Sequence, residues 1–501
     1  MKRSILGAAF VAALVLVAVA GAAPTVVASP GVSPFSIGGS QPCGDKDMAA
    51  EQIGQGSTLY PDSEIEPRST RFGSTIVGEY QQDRWDDGGA RGLVASVSHE
   101  NGSAGSWHRV VIPGITACSG GEYLRASDPW VSFGPTGDLY AISLSFFGNP
   151  DPNHNAILVS KSTDLGEHWS NPPTVLTEDT TNGLDKESIT ADPTNSDYVY
   201  AAWDRIVGPG GSTHASDQGL IHARSYKSQT FFTRSTNAGD SWEKPQQIFV
   251  DSAFSGSIGS IVQVGSGTTL LDGLLTYGNA AWKGGPCGSV SVLRSPDRGV
   301  TWEKKPVIVS PYSCTYVGAH NPDTGFLIRS GGLVDFATRG SNAYMVWEDA
   351  LPSEPTRGHI FFSQSTDDGV TWSTPIVISH TPPQPGVDAF VPTIEINSAG
   401  KLGVSYYDFR NNTSTTDGFA ATDLWLTQCT SNCASQAGWS VETQVTPQSF
   451  DMSAAPVARG QFLGDYMGMT TDGTTFQPFY IQSGTPPVLT GPTDAFFSTV
   501  P

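Results

Sequence analysis

Basic residues are scarce in this chain. Its 501 residues include 27 Lys plus Arg against 48 Asp plus Glu, a formal charge of −21. Nucleic-acid binding needs clustered Lys and Arg, so no nucleic-acid partner is expected, and no broadly cationic membrane-binding face. Charge of either sign is thin, at 15% of residues, where soluble domains average about 25%. Several chemistries lack their motifs. There is no paired CxxC or HExxH spacing for zinc, no G-x-S-x-G elbow, no phosphate loop and no dinucleotide fingerprint. No amphipathic helical period interrupts the chain. What remains is turn-rich and aromatic: 56 Gly, 35 Pro, 12 Trp, 15 Tyr and 23 Phe.

The N-terminus reads as an address. Lys2 and Arg3 precede an apolar run from Ile5 to Ala20, followed by Gly21, Ala22, Ala23 and Pro24. That order is a secretory signal peptide, placed at 1–23, with Ala20, Ala23 and Ala28 as candidate cleavage points. No later segment has the length to span a bilayer, so the mature chain is expected to be secreted, without a transmembrane anchor, and monomeric. The six cysteines, all beyond the signal, suit disulfides in an exported protein. Proximity favours Cys429 with Cys433 and Cys287 with Cys314, leaving Cys43 with Cys118.

An octet organises the rest: Ser, any residue, Asp or Asn, any residue, Gly, two residues, Trp. It runs Ser162 to Trp169, Ser235 to Trp242, Ser295 to Trp302 and Ser365 to Trp372, with looser versions ending at Trp107 and Trp439. Asp or Asn accepts backbone N–H bonds in a turn, Gly supplies φ > 0, and Trp buries a large ring. The octet is therefore a hairpin tip between the third and fourth strands of a repeated unit. Successive Trp lie 62, 73, 60, 70 and 67 residues apart, room for four strands with long loops. Within one unit, 127–133 and 139–144 read as the first and second strands.

This unit resembles the Asp-box, or sialidase-type (BNR), β-propeller family, over nearly all of the mature chain. The resemblance implies an all-β fold, a single propeller of four-stranded blades, over 51–501 after an N-terminal segment at 24–50. Six boxes mark six blades. The 62 residues after Trp439 read as three strands without a box, completed by a fourth from the N-terminus near 53–60. Seven blades are favoured, and six with a C-terminal extension is the alternative.

Boxes occupy one face of such a disc, so chemistry is sought on the other. There the ends of second strands and the starts of first strands are charged: Asp83-Arg84, Asp204-Arg205, Glu348-Asp349, Tyr407-Asp408 and Arg410, then Asp128, Glu187, Asp388 and Asp465-Tyr466. Acidic turn caps and inter-blade braces would give the same pattern as a ligand-binding mouth. The resemblance to sialidases implies three Arg on a substrate carboxylate, a Tyr nucleophile assisted by Glu, and an Asp acid/base. On that template Arg84, Arg205 and Arg410 form the clamp, with Arg68 as a substitute. Tyr407 and Tyr466 are candidate nucleophiles, Glu187 and Glu348 candidate helpers, and Asp83, Asp128 and Asp204 candidate acids. The family's N-terminal Phe/Tyr-Arg-Ile-Pro motif is missing; Glu66-Pro67-Arg68-Ser69 stands nearest to it. No cofactor is expected beyond structural Ca²⁺ at the Asp83–Asp87 loop. The expected partner is a glycan substrate, with sialic acid or a related acidic sugar released. A non-catalytic propeller that binds glycan or protein is the alternative.

Overall fold

The octet closes on itself in three dimensions. In the computed structural model each Ser hydroxyl accepts from the Gly N–H, at 2.9, 2.8, 2.8 and 2.9 Å in the four copies. The same hydroxyl donates to the Asp or Asn Oδ1. That oxygen also accepts the N–H two residues beyond Gly, at 2.8–3.0 Å. Leu165, Ala238, Arg298 and Asp368, just before each Gly, are left-handed, with φ between 55° and 63°. In the looser first copy, Gly102 N–H reaches Ser98 Oγ and Asn101 takes the left-handed place. In the last copy the Cys429–Cys433 disulfide stands where the box would be, and Trp439 Nε1 donates to Cys433 O at 2.9 Å.

The structure describes residues 27–28, 58–147, 154–207, 227–250, 256–277, 288–313, 316, 318–384, 386–439, 441–484 and 491–501. Among them the fold is all-β, with three short 3₁₀ turns as its only helical elements. Six antiparallel four-stranded units follow one another, with first strands Leu59–Phe72, Arg125–Phe133, Gly183–Ala191, Gly256–Val264, Val334–Arg339 and Ala389–Ile396. A seventh sheet has three strands, Gly468–Asp472, Thr475–Ser483 and Thr493–Thr499. First strands neighbour each other in chain order, and Gly468–Asp472 lies beside Leu59–Phe72, which closes a ring. No described helix is long and apolar enough to cross a membrane; the apolar run from Ile5 to Ala20 lies outside the described residues.

Two of the box Trp residues reach back to the preceding unit. Trp302 meets Phe232 edge-on at 5.0 Å and Trp439 meets Phe362 at 4.9 Å. Trp107 of the first unit meets Phe497 of the seventh sheet at 5.2 Å, so ring closure repeats the contact used between consecutive units. Arg71 adds Gln477 and Asp472 across the same seam. The seventh sheet's outer strand differs from expectation. Val27–Ala28 pairs with Thr499 and Ser498, while Leu59 and Tyr60 of the expected 53–60 strand begin the first strand of the ring and 53–57 lie outside the described residues. Cys118 is disulfide-bonded; Cys43, Cys287 and Cys314 lie outside the described residues.

Phe497 is 2% exposed at this seam. Phe497→Ala should cost about 3–5 kcal/mol, the usual range for a buried Phe truncation. Urea denaturation of the variant checks this, and an unchanged midpoint would remove the closure role.

Candidate active site

The mouth is shaped by a fault repeated in the first strands. Register slips between Ile65 and Arg68, Ser127 and Trp130, Asp185 and Ser188, Ile258 and Ile261, and Phe390 and Thr393. Each slip holds one left-handed residue: Glu66, Asp128, Lys186, Gly259 and Val391, with φ of 53°, 53°, 50°, 79° and 48°. Pro67, Pro129 and Pro392 follow three of them, and proline suits a bulge because it has no N–H to leave unpaired. A non-Gly residue held left-handed costs on the order of 1–3 kcal/mol, and four of these five are not Gly.

The bulges bring charged side chains together. Lys186 Nζ contacts Asp128 Oδ1 at 2.5 Å, Asp465 Oδ2 at 2.5 Å and Glu66 Oε1 at 3.3 Å. Arg329 Nη2 reaches the same Asp465 oxygen at 2.7 Å. Gln81 Nε2 donates to Glu66, and Arg84 Nη1 to Gln81 Oε1 at 2.6 Å. Arg329 and Arg84 share the face of Phe462, at 4.3 and 5.3 Å from its centroid. Tyr466 packs edge-on to Trp130 at 5.3 Å, donates to Pro129 O at 3.0 Å and has Lys186 Nζ 5.7 Å from its ring centre. Arg68 lies flat on the other side of this group, 3.9 Å from the Trp130 centroid, and pairs with Asp335.

These groups are nearly dry, and their proton affinities diverge. Burial pushes Glu66 up to about 7, against the pull of Lys186. Burial, then Asp128, raise Glu187 and Asp185. Burial alone would raise Asp465 too, but Arg329 and Lys186 hold it below the carboxylate range. Burial works against Lys186 as well, and Asp128, Asp465, Glu66 and Asp185 outweigh it to keep its ammonium charged. Glu187 stands apart: it is 2% exposed, and neither carboxyl oxygen has a hydrogen-bond partner among the described residues. Its field acts on Tyr466, whose hydroxyl is raised by burial and by Glu66, Asp128, Glu187 and Asp465.

Of the residues singled out from sequence, Tyr466, Glu187, Asp128 and Arg84 meet here, with Arg68 at the edge. Others have different work. Tyr407 is fully buried; its hydroxyl donates to Ile481 O at 2.7 Å and accepts from Ile481 N at 3.0 Å, stitching the sixth unit to the seventh sheet. Asp204 accepts the bulge N–H of Gly259 at 2.9 Å, and Glu348 that of Val391 at 3.0 Å, so each braces the next unit. Asp83 caps Asp62 N at 2.7 Å and faces Arg91 at 3.6 Å. The expected clamp of Arg84, Arg205 and Arg410 does not form around shared free space. Arg205 is tied to Asp179 at 2.8 Å, while Arg410 is tied to Asp408 at 2.6 Å and to Glu442, and stacks on Trp425. The cations gathered with Arg84 are instead Lys186 and Arg329. In the Asp83–Asp87 loop, Asp86 accepts Thr58 N and Asp87 pairs with Arg125.

Glu66, Lys186 and Asp465 were given no catalytic or binding role from the sequence, and Arg329 was not singled out at all. A usable signal for the bulges exists in hindsight: an acidic or apolar residue followed by Pro at the head of a first strand, as in Glu66-Pro67, Asp128-Pro129 and Val391-Pro392. Arg329 comes from the segment joining the fourth and fifth units and carries no such mark.

Fold and site together define an all-β propeller built on Ser-x-Asx-x-Gly-x-x-Trp hairpins, with a buried carboxyl–ammonium cluster at its mouth. No family model and no curated protein matches the sequence. Among solved structures, a Hadza microbial sialidase is similar at 16% identity and a TM-score of 0.45, over 84% of this chain and 76% of that one. A NanB sialidase variant from Streptococcus pneumoniae gives 10%, 0.43, 89% and 93% in the same terms. The GH93 α-L-arabinofuranosidase of Fusarium graminearum, in complex with arabinobiose, gives 13%, 0.43, 75% and 92%. At these TM-scores the likenesses fix neither substrate nor reaction.

Two predictions follow from these contacts. Tyr407→Phe leaves Ile481 N–H and C=O unpaired in the core, at a cost of about 1–3 kcal/mol, and should lower the melting temperature without changing any turnover the protein shows. The second concerns pH. Burial raises Asp272 to about 8, Glu348 and Glu395 to about 7, and Asp349 and Asp408 to about 6, from ordinary values of 3.8 and 4.5. Each binds its proton more tightly folded than unfolded, so its contribution is complete below the ordinary value and is lost as pH rises through the folded one. Asp367, lowered to about 2 by Thr371 and Ser365, acts oppositely and loses its contribution as pH falls toward that value. Melting temperature should therefore peak near about pH 4–6 and fall toward pH 8–9. A flat or rising profile between pH 5 and 8 would contradict the buried-acid account.

Proposed function

We propose that this chain is a secreted glycoside hydrolase of sialidase type whose chemistry is carried by Tyr466, Glu187 and Glu66. The observation behind the proposal is Glu187, a buried acid with both oxygens unpartnered, set in the same dry cluster as Tyr466 and Asp128. A carboxylate of raised proton affinity is a stronger base. Once Glu187 has lost its own proton, its carboxylate can take the phenol proton as Tyr466 Oη leaves Pro129 O and attacks an anomeric carbon. Glu66, protonated below about 7, suits the donor that protonates the leaving oxygen better than Asp128, which Lys186 holds more closely, at 2.5 Å against 3.3 Å. Splitting the affinities of neighbouring carboxyls is how one site supplies both acid and base. Lys186, Arg329 and Arg84 are the cations available to the carboxylate of sialic acid or a similar acidic sugar.

A second reading has its own observation. Arg205 and Arg410 are each held by acids of their own surroundings, as in a propeller that binds a glycan or protein partner without turning it over. The deciding experiment offers the purified protein fluorogenic α-sialosides and neutral glycosides between pH 4 and 8. The hydrolase reading expects turnover of a sialoside, a fall in kcat/KM above about pH 7 as Glu66 loses its proton, and a loss of about 100-fold or more in kcat in Glu187→Gln and Tyr466→Phe at unchanged melting temperature. Absence of turnover by folded protein across the panel would sink it. Glycan-array binding that Lys186→Ala abolishes would then establish the binding reading.

A further inference from the structure

Two imidazoles and a carboxylate from neighbouring units converge on the box hairpins, away from the first-strand bulges. His99 follows the box Ser98 of the first unit, His108 follows its Trp107, and Glu167 lies between Gly166 and His168 in the box of the second unit. His99 Nε2 and His108 Nε2 approach the same Glu167 Oε1, at 2.6 and 2.9 Å. One ligand atom from each of the three residues lies within 4.8 Å of the others. The side chains are 40%, 43% and 37% exposed, so ions in solution reach them. His99 Nδ1 lies 2.9 Å from Thr75 Oγ1. When that nitrogen donates its hydrogen to Thr75, Nε2 keeps its lone pair, which is the tautomer a metal ligand needs.

We propose that His99, His108 and Glu167 form a surface site for a borderline divalent transition metal, Zn²⁺ first, which clamps the first two units together. Zn–N and Zn–O bonds run about 2.0–2.2 Å, so ligand atoms of a tetrahedral site stand about 3.3 Å apart. The two imidazole–carboxylate contacts need to open by less than an ångström, within reach of an exposed Glu side chain. Three protein ligands leave a fourth position to water. Imidazole nitrogens favour Zn²⁺, Cu²⁺ or Ni²⁺ over Ca²⁺ and Mg²⁺, which take oxygen ligands. Pairs elsewhere, such as His154 with Glu178 and His168 with Asp164, bring only two ligands each. Because the ion would bind two units at once, its occupancy is coupled to their docking.

The test uses the full chain without an affinity tag, stripped by a chelator. Zn²⁺ is titrated in competition with a chromophoric chelator, and melting is followed with Zn²⁺ or Ca²⁺ present. The expected result is about one Zn²⁺ per chain, a rise of a few degrees in melting temperature, and no shift with Ca²⁺. His99→Ala and His108→Ala should each abolish the stoichiometric binding and the thermal shift while leaving the metal-free melting temperature unchanged, and Glu167→Gln should weaken both. Retention of wild-type stoichiometry and shift in the His99→Ala/His108→Ala double variant would overturn the assignment, as would an equal shift with Ca²⁺ or the absence of Zn²⁺ binding at tens of micromolar.

Discussion

The left-handed residue in the first strand is the constraint on which the mouth depends. An unbroken strand would alternate its side chains between neighbouring units. The slip breaks that alternation in five of the six units and turns Glu66, Asp128 and Lys186 toward one another. Its energetic cost is carried by the ring. Asp204 and Glu348 each reach across to the displaced N–H of the next unit, so the strain of one unit is held by its neighbour. The acids that look catalytic from the sequence are in part the fixings of this arrangement.

The same fact reframes the acidity of the chain. Much of its negative charge is not spread over the surface: Glu64, Glu66, Glu79, Asp185, Glu187, Asp204, Asp272 and Glu348 are all buried to 4% exposure or less. Burial holds their protons on and makes the effective charge near neutrality smaller than the formula gives. The acids gathered around Lys186 and Arg329, namely Glu66, Asp128 and Asp465, sit at odds with pure structural economy, because replacing such groups by apolar residues is often neutral or stabilising. Their retention at one mouth is the reason to look for acid–base chemistry there.

The fold was legible because its signals are local and repeated. Ser, Asp or Asn, Gly and Trp at fixed spacing specify one hairpin, and four copies specify the architecture. The site was legible only in part. Charged residues at strand ends could be found, but sequence does not say whether Asp204 faces a substrate or the Gly259 N–H, nor that Tyr407 is sealed against Ile481. Lys186 and Arg329 were hidden for a related reason. Their importance comes from a carboxylate far along the chain: Asp465 lies 279 residues from Lys186 and 136 from Arg329. The edge strand Val27–Ala28 went unseen because two residues are too short to carry a period.

The seam between Trp107 and Phe497 has a consequence for biosynthesis. The two rings are 390 residues apart in sequence (497 − 107), and Phe497 is four residues from the end of the chain. The edge of the first unit therefore stays uncovered until 390 further residues have been made. Long-range closure of this kind is slow and leaves an open sheet edge exposed in the meantime. Closure of the ring therefore waits on synthesis of the strand that carries Phe497.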